Sequence, residues 1–124
     1  MSEPTPRWQV LAWAAALSRP VDEIKARLQL VPAPAPVVAA GGEADFAVVG
    51  RKQVVSILER FLGGVIEAGE LEDWANLVED NPEFRFETAW EPVLRRIVFE
   101  AANPALEGEA EPERVRGWLQ NLAA

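Results

Sequence analysis

Nine carboxylates crowd into Glu67–Glu91, EAGELEDWANLVEDNPEFRFETAWE. Against one base, Arg85, the residues Glu67, Glu70, Glu72, Asp73, Glu79, Asp80, Glu83, Glu87 and Glu91 leave the segment at −8, the net charge of the whole chain. Acids at this density could hold a hard cation, work as an acid–base pair, or face something positive. Asp80–Glu91 has the length of a calcium-binding EF-hand loop and begins with Asp and ends with Glu. However, its third and fifth positions are Pro82 and Phe84, and Arg85 stands where the sharp turn needs glycine, so the ligand oxygens are missing and no metal site is expected. A catalytic pair needs two acids across a cleft with one held protonated, whereas these fall on a polar helix face and in loops, where water solvates them.

Other catalytic chemistry has little to work with. The chain has no His and no Cys, which removes the commonest general base, the commonest transition-metal ligand, thiolates and disulfides. Lys52 and Ser56, four residues apart, would set an amine beside a hydroxyl, but in the reverse of the S-x-x-K order and without an oxyanion loop. There is no phosphate-binding loop, dinucleotide fingerprint or zinc spacing. The expectation is a non-enzyme without a cofactor. The acidic balance disfavours nucleic acid, which needs clustered Lys and Arg. The natural complement is a basic protein, since opposite potentials steer encounter. No apolar run approaches the ~20 residues of a membrane span. The opening MSEPTPRWQV has an acid and two prolines where a signal peptide carries positive charge, so a soluble, bacterial, cytoplasmic protein is expected.

The elements that must position these acids are helices. Residues 7–18 carry two apolar stripes, Trp8/Leu11/Ala12/Ala15 and Val10/Trp13/Ala14/Leu17, and so predict a helix packed on two sides. Pro20 followed by Asp22 and Glu23 opens a second helix with Val21, Ile24 and Leu28 inward. Together they form a hairpin over residues 1–30. Arg19, Lys25 and Arg27 could touch phosphate if the hairpin were a helix-turn-helix, but Asp22 and Glu23 offset them and the turn lacks its glycine. Residues 31–45, VPAPAPVVAAGGEAD, read as a Pro/Gly-rich connector. The rest, 46–124, reads as an acidic helical domain. Phe46–Val49 is a brief strand or a tail under the next helix.

A third helix spans about Arg51 to Leu62, with Val54, Leu58, Phe61, Leu62 and then Val65 on its stripe and Gly63-Gly64 ending it. A fourth runs from about Glu70 to Asp80. Leu71, Trp74, Ala75 and Val78 face inward, Glu72, Asp73, Asn76, Glu79 and Asp80 face the other way, and Asn81-Pro82 stops it. Glu83–Glu87 alternates and can be briefly extended. Thr88 and Glu91 have capping-box spacing, although Pro92 moves the start of the next helix toward Glu91. Trp90, Leu94, Ile97, Val98 and Ala101 form its stripe. Pro112 opens the last helix, with Val115, Trp118, Leu119 and Leu122 inward and Gly117 in its middle. The fold class is all-α: a four-helix core with an N-terminal helical hairpin.

Trp74 and Trp90 lie on inward stripes, which favours core packing. A tryptophan partly covered and rimmed by acids is also the usual make-up of a binding hot spot, so both remain candidates beside Glu72, Asp73, Asn76, Glu79, Asp80, Glu83 and Glu87. Phe99, on the Pro92/Arg95/Arg96 side of its helix, is a further aromatic candidate. The cadence of residues 51–122, with LERFLGG, ELEDWANLVED, FEAANPALEG and EPERVRGWLQNL, resembles small acidic bacterial immunity proteins, the helical partners of colicin-like and contact-dependent-inhibition nucleases. The resemblance implies that carboxylates mimicking phosphate occlude a basic toxin surface. The alternative expectation is a structural or regulatory subunit that oligomerises through the N-terminal hairpin.

Overall fold

The computed structural model describes residues 7–30 and 48–123; the expected connector at 31–45 and Phe46 lie outside the described residues. The fold is all-α. Its helices are α1 (Arg7–Ala16), α2 (Val21–Leu30), α3 (Arg51–Leu62), α4 (Ala68–Asp80), α5 (Glu91–Ala102), the single turn α6 (Pro104–Glu107) and α7 (Pro112–Leu122). Two short strands, β1 (Val48–Val49) and β2 (Arg85–Phe86), pair in parallel with Val48 opposite Arg85 and Val49 opposite Phe86. The ladder is continued by Glu87 N–H donating to Val49 O at 3.1 Å.

The two apolar sides of α1 explain its place. Val10, Leu11, Ala14, Ala15 and Leu17 are all buried, and α1 packs on α2, α3, α4 and β1. Residues on either side of the 31–45 segment thus form one core. Trp74, on α4, lies at its centre: fully buried, with its indole N–H donating to Ala14 O at 2.7 Å. Burying about 200 Å² of indole stabilises the fold by up to about 5 kcal/mol, an upper bound because the unfolded chain already hides part of it. α4 packs most extensively on α5, which presents Leu94, Ile97, Val98 and Ala101, while α3 packs on α7.

The helix ends show how the pieces are held in register. α1 closes with Ser18 N–H on Trp13 O and Leu17 N–H on Ala14 O. This Schellman turn needs a left-handed residue, and Leu17 fills that position at φ 47 because its side chain is buried. The neighbouring carbonyls of Ala16 and Leu17 are taken by Arg60 of α3, at 2.5 and 2.6 Å. A guanidinium at a helix C-terminus is favoured by both hydrogen bonding and the macrodipole. Across the same turn, Val21 N–H at the start of α2 faces Glu70 Oε2 at 3.4 Å, the complementary charge for an N-terminus. α7 ends likewise on an arginine, since Arg51 Nε donates to Leu122 O.

Three expectations are revised. Val65 does not continue the α3 stripe. Gly64, at φ 77, turns the chain, with Val65 N–H returning to Arg60 O, so Val65 is 71% exposed and Ile66 goes inward instead. Thr88 and Glu91 form no capping box. Thr88–Trp90 is a 3₁₀ turn, α5 begins at Glu91 without a side-chain cap, and the Glu91 carboxylate pairs with Arg95 at 3.0 Å. Trp8, placed on an inward stripe, is 53% exposed.

Candidate functional site

The segment that carries nine of the chain's 20 acids builds α4 and the turn after it. Glu72, Asp73, Asn76, Glu79 and Asp80 span an arc of about 120° and run about 12 Å along the helix. Leu71, Trp74, Ala75 and Val78 are buried on the other side. Asp73, Glu79 and Asp80 are exposed, and Glu72 and Asn76 are half-buried. Among the described residues, no ion pair joins Glu72, Asp73, Glu79 or Asp80 to a base. Four arginines elsewhere pair with other acids. Arg95 pairs with Glu91, Arg96 with Glu100 at 3.0 Å, Arg114 with Glu100 at 2.5 Å, and Arg19 with Glu23 at 3.8 Å. Among the described residues no three acidic side chains come together in a group that could hold a metal ion.

The end of α4 is unusual. Glu79 and Asp80 sit in its last turn with no base there, although the partial negative charge of a helix C-terminus disfavours acids by about 0.3–1 kcal/mol each. The chain after it supplies no relief. Pro82 has no N–H, Glu83 N–H goes to Asn81 Oδ1 at 2.9 Å, and Phe84 N–H goes to Asn81 O at 3.2 Å. Among the described residues, nothing donates to the carbonyls of Val78, Glu79 or Asp80. A cleft of about 190 Å³ opens beside this end, lined by Val78, Glu79, Asn81, Pro82, Phe84, Phe86 and Arg95.

The remaining predicted residues separate from this face. Trp74 is a core residue with no exposed surface, so it cannot touch a partner; its acidic neighbours in sequence point the opposite way because helical periodicity, not adjacency, decides the side. Glu87 has a structural partner. Gly50 at the start of α3 has no side chain to cap the helix, and Glu87 Oε1, 36 residues on, accepts Arg51 N–H at 2.8 Å. A Cβ at position 50 would meet Gln53 and Glu87 side-chain oxygens at 2.6 and 3.2 Å, crowding the capping carboxylate. Trp90 is half-buried beneath the Arg51 guanidinium, 5.2 Å from its ring centre, and lines a second cleft with Arg51, Lys52, Gln53 and Glu87. Glu83 is half-buried in the turn after α4, and Phe99 is 41% exposed on α5.

Sequence reasoning passed over Pro82, Phe84 and Phe86 as site residues. The available signal was the run after Asp80, where a proline removes a donor two residues beyond a pair of acids in a helix's last turn. No helix among the described residues is long and apolar enough to cross a membrane. No protein-family model matches the chain, and neither a curated protein sequence nor a solved structure gives a significant match.

Proposed function

We propose that this protein is a non-enzymatic binding module that docks the outer face of α4 on a basic surface of another protein, as an immunity or inhibitor protein does on a toxin. One observation carries the reading: Glu72, Asp73, Glu79 and Asp80 share one face of α4 and meet no base among the described residues. Uncompensated like charge on one face raises the rate of encounter with an opposite potential and rejects wrong partners. The reading places the protein in the cytoplasm of a bacterium that makes the target, and the carboxylates would stand where the target's phosphate ligand otherwise binds.

The alternative, assembly through the N-terminal hairpin, has less surface to use. Val10, Leu11, Ala14, Ala15, Leu17, Val21 and Ile24 are already buried within this chain. The test compares the wild type with the triple variant Asp73→Lys, Glu79→Lys, Asp80→Lys as immobilised bait in lysate of the native host. A basic protein retained by the wild type, released by about 0.5 M salt as screening predicts and lost with the variant is the expected result. Equal retention by a variant of unchanged helicity would remove α4 from the interface.

A further inference from the structure

We infer that the cleft at the C-terminal end of α4 is a receptor for an arginine side chain of the basic partner. This rests on the docking role proposed for α4 and assigns the group recognised there. Among the described residues, the C-terminal ends of α1, α3, α5 and α7 are closed by the chain's own donors. The last carbonyls of α1 are held by the Arg60 guanidinium, and that of Leu122 in α7 by Arg51. α3 ends in the Gly63–Gly64 turn, and Asn103 serves α5 through its side chain on Phe99 O and its N–H on Glu100 O. At α4 the next segment turns its donors to Asn81, and among the described residues the carbonyls of Val78, Glu79 and Asp80 receive none. The chain thus twice places a guanidinium at a helix C-terminus, and among the described residues a third such end receives no donor.

The surroundings select the same group. Glu79 and Asp80 add carboxylates to the negative end of the helix, and Pro82, Phe84 and Phe86 give the adjacent cleft an apolar and aromatic wall. A planar guanidinium donates to several oxygens at once and stacks on aromatic faces, which a compact ammonium does less well. The molecule already shows this pairing, since the Arg95 guanidinium lies 5.1 Å from the Phe86 ring centre while bonding Glu91. Arg95 occupies one wall and makes no bond to Glu79 or Asp80.

The test titrates the nitrogen-15-labelled full chain with acetyl-tetra-arginine-amide and, separately, acetyl-tetra-lysine-amide at low salt, following backbone amide shifts. The arginine peptide is expected to move amides of residues 78–86 most and to bind at least about threefold more tightly than the lysine peptide. Asp80→Asn and Glu79→Gln should each weaken it about fivefold, as loss of a charge-assisted bond does. Shifts centred on residues 72–76 with equal affinity for both peptides would overturn the cleft and leave the acidic-face reading standing. Absence of any shift with either peptide would also overturn it, and the capture comparison would then judge the acidic face alone.

Discussion

Replacing Asp80 by Lys should make this protein more stable while weakening the docking proposed for α4. Asp80 is exposed in the last turn of α4, where no base is present and no described residue donates to the final carbonyls. A charge at a helix end is worth about 0.3–1 kcal/mol, so reversal removes a penalty and adds a gain of about 1 kcal/mol in total at low salt. At roughly 2.1 cal/mol/K of unfolding entropy per residue, that raises the melting temperature of a 124-residue chain by about 4 °C. Asp73 supplies the control. It lies on the same face but in the first half of α4, where a base gains nothing from the dipole, so Asp73→Lys should leave the melting temperature unchanged or slightly lower. Glu79 is the less clean position, because it shares a cleft with Arg95. Thermal unfolding by circular dichroism at ~20 mM and ~300 mM salt gives the readout, and the Asp80→Lys gain should shrink in salt as the Debye length shortens. If Asp80→Lys lowers the melting temperature, or matches Asp73→Lys, then Asp80 makes a stabilising contact and the idea that the chain carries this charge at a cost to its own fold is wrong.

Three further predictions concern the frame that presents α4. Trp74→Phe removes the indole N–H that bonds Ala14 O at 2.7 Å inside the core, leaving a void and a carbonyl with the Leu17 N–H as its remaining donor; urea titration should show a loss of about 2–4 kcal/mol. Arg60→Met takes the guanidinium from the Ala16 and Leu17 carbonyls and should lower stability by about 2 kcal/mol, with faster amide exchange around the α1–α2 turn; Arg60→Lys should recover only part, because an ammonium cannot span both carbonyls in one plane. Gly117→Ala puts a methyl into open space in the middle of α7 and should stabilise by about 0.5–1 kcal/mol in the same titration.

The period of the apolar residues and the position of the stops were sufficient to place α3, α4, α5 and α7, because a 3.6-residue repeat is a local property. Gly63-Gly64, Asn81-Pro82 and Pro112 mark their ends from backbone chemistry alone. The same periodicity puts Glu72, Asp73, Asn76, Glu79 and Asp80 on one face of α4 independently of any neighbour. Partners distant in sequence were not legible in this way. That the Trp74 indole reaches Ala14, that Glu87 caps a helix 36 residues upstream, and that Arg60 closes α1 depend on how helices cross. A single residue's type does not reveal whether its charge faces water or another segment's dipole; Glu87 and Asp80 are both exposed carboxylates of one acidic stretch. Tertiary packing set Glu87 against the start of α3 and left Asp80 at the open end of α4, and that difference came from which helix terminus each one met.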